Sequence, residues 1–183
     1  MYLTTMKIST QDPYIQHQEV SRIFPKETGR VLFVSRNGGT IQVLSSVRGE
    51  DPAILSCREV ALPEECEVIP FKIKYNPTKN VRERKGGKSH CRGILDSEEA
   101  TEWLRKELVN KCGADVVALA STFQGTKRIL KKGQIHAYVS QHTGVGVITV
   151  KDANLFMSSL GKGIGGAKFA GYGLLDMWYA TQT

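Results

Sequence analysis

Tyr14 and His17 are the side chains whose types and spacing best suit acid–base chemistry. They lie three residues apart on a predicted helix over Pro13 to Phe24, beside its buried face, so both can reach one substrate atom. An imidazole titrates near pH ~6.5 and can serve as a general acid or a general base. An ordinary surface histidine has the same pattern, and the spacing alone leaves both interpretations open.

The segment from Gly161 to Gly173 holds six glycines together with Lys162 and Lys168. Because glycine takes positive φ at little cost and has no side chain, such a backbone can approach a phosphate closely. The literal G-x-G-x-x-G from Gly161 to Gly166 would indicate a dinucleotide site only after a strand and before a helix. Here a predicted helix precedes the glycines and a predicted strand follows them, which argues against a nucleotide-binding oxidoreductase.

Two basic segments suit the binding of a phosphate backbone, and a solubilising surface loop is the alternative interpretation of each. Residues 72 to 92 hold eight Lys and Arg residues against the single acid Glu83, and Gly86 with Gly87 marks a flexible tip. The second segment, residues 127 to 132, lies between predicted strands, as a projecting hairpin or loop would. The predicted phosphate contacts in the two segments are Lys79, Arg82, Arg84, Lys85, Lys88, Arg92, Lys127, Arg128, Lys131 and Lys132.

The net charge of +7 is unevenly distributed along the 183 residues. Residues 1 to 67 carry 7 Lys and Arg against 9 Asp and Glu, a balance of −2, and residues 68 to 183 carry 18 against 9, a balance of +9. A basic second half points to a polyanionic partner, although a solvated basic surface fits the charge equally well. The hydrophobic content of 40% is enough for one large or two small cores.

The cysteines and the other histidines do not have the spacing of a metal site. No C-x-x-C pair occurs, so the cysteines are predicted to be reduced thiols, and without an H-x-H or H-x-x-x-H pair we expect no metal and no cofactor. His136 is predicted to be a structural histidine in a strand, and His90 and His142 are predicted to lie in loops. No signal peptide or membrane-length apolar run is evident, which predicts a cytoplasmic protein.

The periodicity of the apolar residues predicts a fold of two similar units. Asn37-Gly38-Gly39 between two apolar runs is a strong hairpin signal, and Asp96 with Glu99 has capping-box spacing at the start of a helix. Cys57 to Leu62 is compatible with a short helix. The first helix is predicted to bury Ile15, Val20, Ile23 and Phe24. Strands are predicted at 2–8, 31–35, 40–46, 66–75, 115–120, 135–140, 145–150 and 172–179, and helices at 13–24, 97–109 and 153–160.

Two strand-helix-strand-strand-helix-strand units in series predict an α+β protein with tandem ferredoxin-like, or RRM-like, domains. We place the boundary at residue 67. Residues 1–67 then form a domain with the Tyr14 and His17 helix. Residues 68–183 form a domain with the basic segments and the glycine-rich loop.

Four blocks of the sequence, in order along nearly the whole chain, resemble the CasE family of CRISPR-repeat endoribonucleases from type I-E systems. The C-terminal block is the most specific, from Gly146 to Asn154 and from Gly163 to Leu175. The start of the chain, Met1-Tyr2-Leu3, and the segment from Phe71 to Lys79 also match. Tyr14-Ile15-Gln16-His17 resembles the part of the catalytic helix that carries the cleavage residues in that family.

The resemblance implies metal-independent cleavage of CRISPR precursor RNA within the repeat, at the base of its stem-loop. His17 would transfer a proton as general acid or base, Tyr14 would hold the scissile phosphate or ribose, and Lys168 would supply positive charge at the reacting phosphorus. Lys162, Gly163, Gly165 and the basic segments would bind the repeat RNA stem-loop. The implied partners are that RNA and other Cascade subunits, including the backbone subunit next to the RNA 3′ end, with no membrane involved. A subunit that binds the hairpin without cutting it is the alternative.

Overall fold

The computed structural model describes residues 1–24, 31–61, 63–81, 90–131 and 134–177. The N-terminal unit is an antiparallel sheet with strand order β2-β3-β1-β4 and one helix. Asn37-Gly38-Gly39 connects β2 to β3, as the hairpin signal predicted. The elements of this unit are β1 (Tyr2–Lys7), α1 (Pro13–Ile23), β2 (Leu32–Ser35), β3 (Thr40–Ser45) and β4 (Ile54–Glu59).

The C-terminal unit is a second antiparallel sheet with order β10-β5-β9-β8, and two helices pack on one face. A separate two-stranded hairpin, β6 with β7, joins β5 to α2. The elements are β5 (Val68–Tyr75), β6 (Thr78–Val81), β7 (His90–Gly93), α2 (Ser97–Cys112), β8 (Ala114–Lys131), β9 (Gln134–Val150), α3 (Ala153–Lys162) and β10 (Leu175–Asp176).

Both strand orders are those of a ferredoxin-like sheet, so the predicted α+β fold with two tandem units is confirmed. The N-terminal unit departs from the prediction in having no second helix, since residues 46–53 connect β3 to β4 without one. Residues 57–59 belong to strand β4 and not to the short helix with which the sequence was compatible. Residues 54–59 pair with the free edge of β1 instead, and this backbone pairing overrides a weak local helix preference.

Helix ends follow local signals closely. Asp12, Asp96 and Asp152 each accept hydrogen bonds from backbone N–H groups in the first turn of α1, α2 and α3. Helix α2 ends where Gly113 adopts a left-handed conformation with φ of 61°. None of the helices in the described ranges is long and apolar enough to span a membrane.

Each unit has its own core, and a third cluster joins them. In the C-terminal core, Phe71 and Ile73 of β5 pack against Leu104 and Leu108 of α2. The joining cluster places Leu174 of the C-terminal unit among strand residues of the N-terminal sheet. Since β4 ends at Glu59 and β5 begins at Val68, we propose a unit boundary at residue 67 in the connecting segment.

Candidate active site and nucleic-acid interface

Helix α1 is fixed at its start by Asp12, whose carboxylate oxygen accepts from Tyr14 N at 2.8 Å. Val20 and Phe24 anchor the helix in the N-terminal core. Ile15 is 43% exposed, so its predicted burial was wrong. Gln16 is buried in its place, because its amide donates to the Thr10 carbonyl and accepts from the Ser35 hydroxyl at 2.7 Å.

His17 lies half-buried against the glycine-rich loop. Its ring meets the edge of Phe169 with 6.4 Å between the ring centroids. Partial burial disfavours the charged imidazolium, which lowers the pKa of His17 below its usual 6.5. At neutral pH the imidazole is therefore mostly uncharged, a form that can accept a proton.

Tyr14, one turn earlier on α1, lies beside the end of β8. The ammonium nitrogen of Lys131 is 5.7 Å from the centroid of the Tyr14 ring, a cation–π contact. The first helix, the loop after α3 and the β8–β9 hairpin thus meet at one place. Two side chains of the C-terminal unit therefore lie beside this part of α1: the cation of Lys131 at Tyr14 and the ring of Phe169 at His17.

Lys168 opens a short 3₁₀ helix, Lys168–Ala170, that packs against α1. Its side chain is half-buried, and it lines a large open groove of about 690 Å³ between the glycine-rich loop, α2, α3 and β6. We call this the glycine-loop groove. Its lining includes Thr78, Asn80, Trp103, Lys162, Gly165 and Lys168.

The glycine-rich loop is shaped by packing against Trp103. Gly165 has φ of +77°, and a Cβ there would come within 3.0 Å of the Trp103 ring. Trp103 stacks in turn on Tyr75, with ring centroids 5.8 Å apart and planes at 12°. The loop therefore needs glycine at position 165 to adopt its conformation. That conformation places Lys162 and Lys168 at the groove.

A family model described as CRISPR associated protein matches residues 3–177. The chain belongs to this family. The resemblance noted from the sequence is thereby confirmed. No curated protein sequence gives a significant match.

Solved structures with the same fold cover 96% of the chain of this CRISPR-associated family member. Cas6e from Escherichia coli K-12 has 21% identity and a TM-score of 0.78 over 98% of its own chain. Thermus thermophilus Cse3, bound to an RNA representing a pre-cleavage complex, has 18% identity and a TM-score of 0.74 over 97%. A chain of Escherichia coli Cascade bound to a target DNA has 18% identity and a TM-score of 0.62 over 97%.

The basic residues of this family member are divided among different surroundings. Lys79 forms an ion pair with Glu99, with N–O distances of 2.6 and 2.8 Å, while Arg92 on β7 is exposed. Strand β8 continues through Lys131, so Lys127, Arg128 and Lys131 lie on one arm of a long hairpin, which is one of the two forms predicted for this segment. The predicted phosphate contacts outside the described residues are Arg82, Arg84, Lys85, Lys88 and Lys132.

His136 lies in a strand, β9, as predicted, but the other predictions for the remaining histidines were wrong. His136 is exposed, contrary to its prediction as a structural histidine, and its ring meets the edge of Phe169 with 5.6 Å between centroids. His142 is fully buried on β9, where Nε2 lies 3.0 Å from the Ile94 carbonyl, and burial lowers its pKa. His90 begins strand β7. Alternation along β9, where Val139 is buried, is a signal that could have placed His136 on the open face.

Cys57, Cys66, Cys91 and Cys112 are free thiols in the structure. Within the described part of the chain, no group of three or more His, Cys, Asp or Glu side chains is arranged to hold a metal ion.

Proposed function

We propose that this protein is a metal-independent endoribonuclease that cleaves CRISPR precursor RNA within the repeat, at the base of its stem-loop. It then stays bound to the mature RNA as a subunit of a type I-E Cascade complex in the cytoplasm. The observation that carries the proposal is the half-buried His17 on α1, held against Phe169 of the glycine-rich loop. Membership of the CRISPR associated protein family and the fold shared with RNA-bound Cse3 support it.

In the proposed reaction, the 2′-hydroxyl of the nucleotide before the scissile bond attacks phosphorus, and the 5′-oxygen of the next nucleotide leaves. The products are a cyclic or 3′-phosphate and a 5′-hydroxyl. His17 takes the proton from the 2′-hydroxyl as general base or gives one to the leaving 5′-oxygen as general acid. Its lowered pKa favours the neutral imidazole that a base requires.

Charge develops on the phosphorane oxygens in the transition state, and preorganised cations stabilise it there. Lys168 supplies this charge, since the 3₁₀ helix that it opens packs against α1, which carries His17. Tyr14 holds the scissile phosphate or ribose, and Lys131 beside its ring adds a second cation at the same place.

The RNA hairpin binds along the glycine-loop groove. Lys162, at the end of α3, and Lys168 line this groove, and Arg92 on the β6–β7 hairpin adds exposed positive charge. Cations of this kind bind the phosphates of a paired stem, which proteins recognise mostly by shape and backbone. The partners are the repeat RNA and other Cascade subunits, including the backbone subunit next to the RNA 3′ end.

A cleavage assay with repeat RNA in the presence of EDTA tests the proposal. We expect one cut at the base of the stem-loop, with a 5′-hydroxyl on the downstream product. A substrate with a 2′-deoxy nucleotide before the scissile bond is the matched control and is expected to remain uncut, because the nucleophile is missing. Tight hairpin binding without cleavage would instead identify a non-cleaving RNA-binding subunit, and restoration of activity by magnesium after chelation would contradict the metal-independent mechanism.

A further inference from the structure

A second cavity, of about 310 Å³, lies between the N-terminal and C-terminal units. We call it the inter-unit cavity. Ligand sites are typically clefts of this size or larger with a few convergent polar groups. The polar side chains that line it come from both units and include Gln16, Arg36, Lys74, Lys127, Gln141 and Tyr172.

Arg36, in the wall of the cavity, forms an ion pair. Arg36 donates from Nη2 to the carboxylate of Asp176, which is 3% exposed, and to the amide oxygen of Gln42. The Nε atom of Arg36 is buried and has no hydrogen-bond partner among the described residues. Leaving a buried N–H donor without an acceptor costs free energy.

Two lysines add positive charge beyond that pair. Lys74 is half-buried and donates from Nζ to the Ser35 carbonyl at 3.2 Å. Burial lowers its pKa, and the positive charges of Arg36, Lys72 and Lys127 lower it further. The cations of the cavity therefore repel one another, and an anion between them would relieve this repulsion.

The neutral groups also suit an anion. The Tyr172 hydroxyl donates to the amide oxygen of Gln141 at 3.1 Å, and this bond does not involve the two N–H donors of the Gln141 amide. Burial raises the pKa of Tyr172 to about 12, so its hydroxyl stays protonated. Donors and cations of this kind select a ligand that is rich in acceptor oxygens, such as a phosphate.

The inter-unit cavity lies directly beside the candidate active site. Gln16 precedes His17 on α1, and Ala170, which also lines the cavity, follows Phe169. An RNA strand that passes the His17–Phe169 contact can therefore place a neighbouring phosphate in the cavity. We propose that the inter-unit cavity binds an internucleotide phosphate of the single-stranded RNA that flanks the hairpin, an inference that rests on the proposed function.

The test measures binding of uncleavable RNA, carrying a 2′-deoxy nucleotide before the scissile bond, at several salt concentrations. Three RNAs are compared, which are the hairpin alone, the hairpin with its 5′ flank and the hairpin with its 3′ flank. The variant is Lys74→Gln with Lys127→Gln. Lys127→Gln alone is included because a replacement at the half-buried Lys74 can disturb folding. The double variant Lys7→Gln with Lys106→Gln is the control with the same change of charge.

One flank is expected to tighten binding to the wild-type protein and to the control, and the double variant is expected not to show that gain in affinity. For the double variant and the flanked RNA, the slope of the logarithm of affinity against the logarithm of salt concentration should be smaller by about 0.7, the value of one single-strand phosphate contact. Lys127→Gln alone should show only part of the gain. The flank that shows the effect identifies the source of the phosphate.

The inference is overturned if neither flank adds affinity to the wild-type protein. It is also overturned if the double variant weakens binding of the hairpin alone as much as that of the flanked RNA. Failure of the wild-type protein to bind the hairpin alone is a different result, and it would contradict the proposed function together with the subsite.

Discussion

At the scale of single residues, the candidate site depends on how one imidazole is surrounded. His17 is half-buried beside Phe169, and the resulting loss of hydration lowers its pKa. Such burial favours the neutral ring, which is the form that a general base requires. Lys131 over the Tyr14 ring places a cation one helical turn away from His17.

Replacement of His17 with alanine is expected to slow cleavage by ~10² to 10⁴-fold, because general acid–base catalysis typically contributes this much. Hairpin affinity should change little. Single-turnover cleavage and equilibrium binding measure the two effects separately, and a variant that cuts at the wild-type rate would remove His17 from the mechanism.

The pH dependence follows from the same burial. An NMR titration of His17 in the free protein should give a pKa below 6.5. If His17 is the base, the cleavage rate should rise with pH up to this pKa and then level off. If it is the acid, the rate should fall above it. A pKa at or above 6.5 would contradict the inferred burial.

Lys168→Ala is expected to lower the cleavage rate at saturating protein, since a cation at the phosphorane stabilises the transition state more than the bound substrate. Lys162→Ala is the matched control, because Lys162 lines the same groove but lies outside the 3₁₀ helix that packs against α1. It should weaken binding and leave the saturated rate unchanged. An unchanged saturated rate for Lys168→Ala would reduce this residue to a backbone contact.

At the scale of elements, the glycine-rich loop is held by its fit to α2. Gly165→Ala puts a Cβ within 3.0 Å of the Trp103 ring at a φ of +77°, whereas Gly166→Ala has only the Asn76 amide nearby, at 3.5 Å. We expect the first change to destabilise the protein by about 1 kcal/mol or more and to weaken RNA binding. The second should be nearly neutral. Thermal unfolding and hairpin affinity test this pair, and equal effects would mean that Trp103 does not shape the loop.

At the scale of the whole molecule, the positive charge is concentrated in the C-terminal unit, but the basic residues of that unit lie at different sites. Lys131 lies at Tyr14, Lys127 lines the inter-unit cavity, and Arg128 and Arg92 are exposed. The segment from Lys127 to Lys132 was predicted to form a projecting hairpin or loop, and residues 127–131 lie on one arm of the β8–β9 hairpin.

Neutralising Arg92, Arg128 and Lys162 to glutamine should weaken hairpin binding and flatten its salt dependence, by about 0.7 to 0.9 in log–log slope for each phosphate that is no longer bound. Cleavage at saturating protein should persist, because none of the three is assigned a role at the scissile phosphate. The control variant changes Lys7, Arg48 and Lys106 to glutamine, which lowers the net charge equally. Equal salt slopes for the two variants would mean that the three predicted residues do not touch RNA.

The sequence by itself determined the features that depend on neighbours a few residues away. The caps of the three helices, the Asn37-Gly38-Gly39 connection, the Tyr14 and His17 spacing and the glycine content of the loop all follow from local backbone chemistry. The family resemblance drew on the same blocks.

Only the tertiary structure decided what these elements meet. His17 and Phe169 are 152 positions apart, and sheet topology, not local propensity, brings α1 to the loop after α3. Pairing between distant segments also makes residues 54–59 an edge strand. It places His142 in the interior and leaves His136 exposed. Contacts between distant segments depend on which strands pair and which faces pack, and no short window of sequence contains that information.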